Sequence, residues 1–339
     1  MKRVVIGALV LLSTGIVAVA FAFYKIDMEM HYPRQDMPAE LFVERGESAI
    51  GLTNALIENN QLNMNVIWFK LWAKLNPDKL SLKAGLYELP PKISMYQLLE
   101  KIQSGDTKKF SVTLVEGLRV KDWFMQLSQI SNLKQDLGEF DTLYARMIDG
   151  FGFCENAHQS IEGCLLADTY QYEYQSSAFE LFKRARDMMK TYVDDQWQQR
   201  FAQVPLGSEY EALILASIIE KETAVAAERD VIAGVFTNRL HSGMRLQTDP
   251  TVIYGIGDSF DGNITRKHLR TLTPYNTYRI DGLPITPIAM PSRASIDAAL
   301  QPASTGYVYF VSKGDGTHQF SETLEQHNQA VRKYQLGLD

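Results

Sequence analysis

The chain has 339 residues, 45% of them apolar, 22% charged and 11% aromatic; this excludes collagen-like and disordered classes and a small disulfide- or metal-stapled domain. The length favours two domains over one. Net charge is −6, and setting aside Lys2 and Arg3 leaves 32 basic against 40 acidic residues, a body at −8, with no Lys/Arg cluster dense enough to follow a phosphate backbone. A nucleic-acid partner is therefore excluded.

From Val4 to Tyr24 no residue is charged. As a helix rising about 1.5 Å per residue, this run spans roughly the 30 Å of a bilayer core. Lys2 and Arg3 before it keep residues 1–3 cytoplasmic and export the body. Ala18-Val19-Ala20 also offers a signal-peptidase pattern, but the run outlasts a signal-peptide core of roughly 7 to 15 residues, so we read residues 4–24 as a retained anchor. Residues 25–40, polar and with two prolines, read as an extended tether.

Helical patterns follow at Ser48–Asn59 and Val66–Leu75, then a short strand at Lys83–Leu89 stopped by Pro90-Pro91. Ser94 caps a helix through Ile102 that Gly105 ends, and Phe110–Val115 closes the unit as a strand. Residues 116–192 read as mainly helical. Cys154 and Cys164, the only cysteines, are compatible with a disulfide in an exported body or with buried thiols; a metal site lacks a convincing fourth ligand. Strong helices follow at Tyr210–Glu222 and Ala226–Leu240. The tract Met244–Pro291, with five of the twelve prolines, reads as loop-rich, and such tracts usually carry function. Ser292 caps a helix to Leu300, a β-hairpin spans Tyr307–Val311 and His318–Phe320, and a last helix runs from Thr323 to Tyr334. The fold class is thus α+β.

The helix Leu213–Glu222 carries the strongest chemical signal. At about 100° per residue, Ile214, Leu215, Ile218 and Ile219 form one apolar arc, while Glu220 shares a face with Leu213, Ala216 and Ser217. A carboxyl projecting over small residues has room for a ligand and suits general-acid duty. Glu222 falls inside the apolar arc and could be the more desolvated of the two; both also fit solvated carboxylates at a helix end. Gln247, Asp249, Asn276 and Tyr278 lie in polar loop clusters whose hydroxyl and amide groups suit a sugar, although taken in isolation turn chemistry is the favoured account of them. P-loop, dinucleotide, HExxH and G-x-S-x-G patterns are absent from the sequence.

Together these residues carry a resemblance. Ala216-Ser217-Ile218-Ile219-Glu220-Lys221-Glu222-Thr223, Val235–Leu240, Met244–Gly255, Tyr275–Tyr278, Gly282-Leu283-Pro284 and the Tyr309–Phe320 hairpin resemble the YceG-like family of endolytic murein transglycosylases. Weaker echoes are Lys83-Ala84-Gly85, Val115-Glu116-Gly117 and Glu162-Gly163 with Asp168-Thr169-Tyr170. Ala167 stands where the family has proline, and Cys164 where it has a bulkier residue.

The resemblance implies a LysM-like subdomain at 41–115 and a mainly helical catalytic domain at 116–339. It implies cleavage of the β-1,4 bond between N-acetylmuramic acid and N-acetylglucosamine inside a peptidoglycan strand, giving a 1,6-anhydro end, with Glu220 as the catalytic acid and base. Ser217, Glu222, Gln247, Asp249, Asn276 and Tyr278 are expected to shape or bind the site. No metal or organic cofactor is expected. The expected partners are glycan strands, the plasma membrane through the N-terminal helix, and peptidoglycan synthases whose nascent strands the enzyme would terminate. A hydrolytic muramidase using Glu222 or Asp249 as a second carboxylate, or a non-enzymatic glycan scaffold, are the alternatives.

Overall fold

The computed structural model describes residues 2–148 and 153–338; Met1, residues 149–152 and Asp339, included in the ranges expected above, lie outside it. The fold mixes helices with small sheets, and the chain divides into two compact units: residues 1–110 with 171–174, and residues 111–170 with 175–339.

The first unit opens with α1 (Lys2–His31), followed by β1 (Glu40–Val43), α2 (Ala49–Glu58), α3 (Val66–Leu75), β2 (Gly85–Glu88), α4 (Met95–Ser104) and the start of β3 (Lys109–Leu114). Leu9–His31 of α1 is long and apolar enough to cross a membrane, and its large side chains from Leu9 to Tyr24 are exposed. The stretch expected as an extended tether is instead helical to His31. Ile26 and Met30, four residues apart and so on one face, are buried in the core of this unit. Arg34 then pins the chain: its guanidinium donates to Glu29 at 2.9 Å, Asn63 O at 3.1 Å and Tyr32 O at 3.0 Å.

β1 and β2 pair antiparallel, Leu41 opposite Tyr87, and bury Leu41, Val43 and Tyr87 against Leu52, Phe69, Leu98 and Ile102. α4 shows why its boundaries were legible. Ser94 and Gln97 form a reciprocal capping box, and Gly105 ends the helix at φ +75°, where a side chain would be strained. β3 does not join β1 and β2; it pairs with a strand from much later in the chain.

The second unit continues with α5 (Val120–Ser128), α6 (Phe140–Ile148), β4 (Asp168–Glu173), which is the partner of β3, α7 (Ala178–Gln198), α8 (Glu209–Glu222), α9 (Arg229–His241), α10 (Asp249–Ile256), α11 (Arg266–Arg270) and α12 (Arg293–Leu300). β5 (Tyr309–Ser312) and β6 (His318–Ser321) pair antiparallel, and α13 (Leu324–Gln335) packs on both. α8 is the core element. Ala212 through Ile219 are all buried, as a helix apolar on every face must be, with α7, α9, α10 and α12 packed around it. The tract expected as loop contains α10, because Pro250 occupies the first turn, where its missing N–H costs nothing.

A loop between α6 and β4 is closed by a disulfide joining Cys154 and Cys164. Beside it Glu162 is 3% exposed. Its carboxylate accepts from the Val120 N–H at 2.8 Å, at the start of α5, and from the Tyr254 hydroxyl at 3.1 Å. Burial pushes this carboxyl up from an ordinary 4.5 to about 7, against those two bonds, which favour the ionised form.

Two predictions follow from this loop. Closing ten residues of separation stabilises by about 3 kcal/mol in the chain-entropy picture, so Cys154→Ser with Cys164→Ser should lower unfolding free energy by about 2–3 kcal/mol in urea titrations; an unchanged midpoint would contradict it. A carboxyl raised in the native state holds a proton the unfolded chain has released. The stability it contributes is complete below its unfolded value and is lost as pH rises through about 7. Relative to Glu162→Gln, the unmodified protein should lose about 3 kcal/mol between roughly pH 5 and 8; parallel pH profiles of stability would show the assignment wrong.

Candidate active site

Glu220 sits in the last turn of α8, half-buried. Its Oε2 accepts three hydrogen bonds from the first turn of α12: the Ser292 N–H at 2.9 Å, the Ser292 hydroxyl at 2.5 Å and the Ser295 hydroxyl at 2.7 Å. Ser292 is the N-cap of that helix, with its Oγ also accepting from the Ser295 N–H. A carboxylate at a helix N-terminus meets unpaired N–H groups and the positive end of the dipole. Hydrogen bonds to an ionised group are worth about 1.5–3 kcal/mol each. Among the described residues Oε1 has no hydrogen-bond partner, so one oxygen anchors the group and the other is available.

The segment Val115–Leu118 passes over this carboxyl. Gly117, at φ +73°, would place a Cβ 3.9 Å from Glu220 Cγ. Two backbone bonds, Gly117 N–H to Met290 O and Met290 N–H to Leu118 O, both 2.8 Å, tie the segment to the strand of chain that leads into α12. Lys221 Nζ donates to Gly117 O at 3.1 Å. Gly117, Leu118 and Lys221 also line a cavity of about 620 Å³, together with Ile253, Tyr254 and Phe260. The Glu162 carboxylate stands behind Tyr254.

The remaining expected site residues gather elsewhere. Residues two apart on a helix point about 200° from one another, and Glu222 accordingly faces α10, accepting a short hydrogen bond from the Thr248 hydroxyl. Burial raises its carboxyl, with Asp249 adding to the effect; the Thr248 bond and the charges of His318 and Arg239 oppose it. Asp249 accepts from the Tyr278 hydroxyl at 2.7 Å. Asn276 is 1% exposed; its amide donates to the carbonyls of His268, Leu269 and Thr271, and its Oδ1 accepts from the Tyr278 N–H. It is a loop staple. Gln247 is exposed, at φ +52°, with its N–H bonded to Thr277 O at 3.2 Å. Ser217 is fully buried, donating to Ile214 O at 2.7 Å and accepting from the Ile288 N–H at 3.0 Å. These contacts make Ser217 and Asn276 shapers of the scaffold.

Glu222, Gln247, Asp249, Asn276 and Tyr278 thus form one connected region, while Glu220 is held by a different set. Ser292 was legible as a cap but not as a partner of Glu220. Ser295 carried no signal beyond its place three residues after that cap.

The sequence profile of the YceG-like family matches residues 41–333. The endolytic murein transglycosylase of Bacillus subtilis is 29% identical over 336 residues, covering 94% of this chain and 91% of that protein. The protein of the same name from Streptococcus pneumoniae serotype 2 is 25% identical, over 78% of this chain but 53% of its own length. A crystal structure of a yceG-like protein from Listeria monocytogenes superposes with a TM-score of 0.56 at 30% identity, covering 86% of this chain and 97% of that one. With its profile spanning both compact units, the chain belongs to the YceG-like family.

Proposed function

We propose that the protein is a membrane-anchored endolytic lytic transglycosylase of peptidoglycan. The observation that carries this reading is the state of Glu220: one carboxyl, anchored through Oε2 by three donors, with Oε1 unengaged among the described residues. Protonated, it gives its proton to the glycosidic oxygen as the bond from muramoyl C1 breaks. Ionised, it takes the proton of the C6 hydroxyl of the same sugar as that oxygen attacks C1. The products are a 1,6-anhydromuramoyl end and a free 4-hydroxyl on N-acetylglucosamine, with no water consumed.

A hydrolase must manage an external nucleophile and uses two carboxyls about 5 to 9.5 Å apart across the scissile bond. Here the nucleophile is part of the substrate, and intramolecularity replaces the second group. The opposed directions of Glu220 and Glu222, and the engagement of Glu222 with Thr248 and of Asp249 with Tyr278, favour the single-carboxyl mechanism over the muramidase. Gln247 and Asp249, the exposed members of the connected region, would be where it meets the glycan strand, with Glu222 and Asn276 holding the loops beneath them.

The first unit, with its paired strands and flanking helices, would serve as a LysM-like glycan-holding domain. The exposed apolar face of α1 ends at Tyr24, and Ile26 is already in the core of this unit. An inner-membrane anchor would therefore hold the first unit at the bilayer surface, on the extracytoplasmic side by the Lys2 and Arg3 rule. There the enzyme would meet glycan as synthases extrude it, and cleavage would end nascent strands.

Two experiments test this. Glu220→Gln in the purified full-length protein should lower formation of anhydro ends by about 10²- to 10⁴-fold with the fold retained by circular dichroism; that loss would sink the non-enzymatic scaffold, and retained cleavage would sink the assignment of Glu220. Ser295→Ala removes one donor to Oε2 and should lower kcat by about 10- to 100-fold with KM little changed. A variant with a normal kcat would mean that the serine contacts do not orient the acid.

A further inference from the structure

We propose that the cavity beside Glu220 seats the peptide branch of the substrate, so that the enzyme cuts peptide-bearing strands in preference to bare glycan; this rests on the transglycosylase reading above. Gly117 joins the two places: it lines the cavity, and it lies against the Glu220 side chain. Lys221, next in sequence to Glu220, lines the same cavity and bonds to Gly117 O. A muramoyl residue with C1 at Glu220 carries its lactyl-linked peptide on C3 of the same ring. The branch must therefore leave the sugar within a few bonds of the carboxyl and enter whatever concavity adjoins it.

The chemistry of the cavity suits a peptide better than a second sugar. At about 620 Å³ it falls in the range of sites that enclose ligands of several residues' size. Leu118, Pro250, Ile253 and Phe260 give it apolar walls, whereas pyranose recognition calls for a dense set of hydroxyl and amide partners. Its charged groups are Arg119, Asp122, Asp258 and Lys221. Arg119 is already paired with Asp122 and Asp258, while Lys221 has no carboxylate partner among the described residues and is exposed. The peptidoglycan branch combines alanine methyl groups with free carboxylates. The methyls match the apolar walls, and a carboxylate matches the Lys221 ammonium.

The test uses full-length protein in detergent and three substrates: glycan strands with stem peptides, the same strands with peptide carboxylates amidated, and strands stripped of peptide by an amidase. kcat/KM is read from anhydro ends. The unmodified enzyme should favour peptide-bearing over bare strands by about tenfold, and free over amidated carboxylates by roughly two- to fivefold, as an exposed ion pair allows. Lys221→Ala should erase the second ratio, and Ile253→Trp, which fills the cavity, should bring the first towards one. Because Lys221 is exposed, its variant keeps the test meaningful if Ile253→Trp fails to fold. Equal kcat/KM on bare and peptide-bearing strands, or ratios unchanged in Lys221→Ala and folded Ile253→Trp, would overturn the proposal. Absence of cleavage of all three substrates by folded unmodified protein would instead overturn the transglycosylase reading beneath it.

Discussion

The contact between the Glu220 carboxylate and the first turn of α12 is the constraint around which the second unit is organised. A half-buried carboxyl at the end of a buried helix would ordinarily be costly. The cost is offset by three donors on one oxygen, two of them hydroxyls and one a backbone N–H at a helix N-terminus. For this to work, α8 and α12 must be fixed against each other, and they are: α12 packs against α8 and α9, and its Ile296, Ala299 and Leu300 are fully buried. The chain before α12 is fixed as well, by the Gly117–Met290 and Leu118–Met290 backbone bonds and by Ser217 holding the Ile288 N–H. Ser217 thus supports the acid indirectly, one turn back on the same helix.

The same arrangement separates the two carboxylates of the Glu220-Lys221-Glu222 triplet. Helix geometry sends them to opposite sides of α8, and their surroundings differ accordingly. Glu220 meets donors at a helix N-terminus, whereas Glu222 meets the buried Thr248 beside the Asp249–Tyr278 pair. Two chemically identical side chains two residues apart are thereby given distinct surroundings, which suit the proposed handling of a reacting proton for one and cohesion of the loop region for the other.

What was legible in the sequence was local. The caps at Ser94 and Ser292, the stop at Gly105 and the apolar character of α8 depend on residues within a few positions of one another, and each is present. Glu220 stood out for the same reason, as a carboxyl among small neighbours on one helix face. What was hidden depends on partners far apart. Ser292 and Ser295 lie 72 and 75 positions from Glu220, and β3 finds its partner in β4 across the disulfide loop. Two local features were also misread. Asp249-Pro250 looked like turn chemistry but opens α10, since proline is as compatible with a first helical turn as with a β-turn. The residues after Tyr24 looked like a tether because their few apolar positions were sparse, yet Ile26 and Met30 suffice to dock the helix end into the first unit.

The central claim is that a single carboxyl cleaves the strand with the substrate's own hydroxyl as nucleophile. The most direct measurement is mass spectrometry of the products formed from purified glycan strands in heavy-oxygen water. The account predicts 1,6-anhydromuramoyl ends that lack the elements of water and carry no label. Labelled reducing ends would contradict it and require a second carboxylate working opposite Glu220.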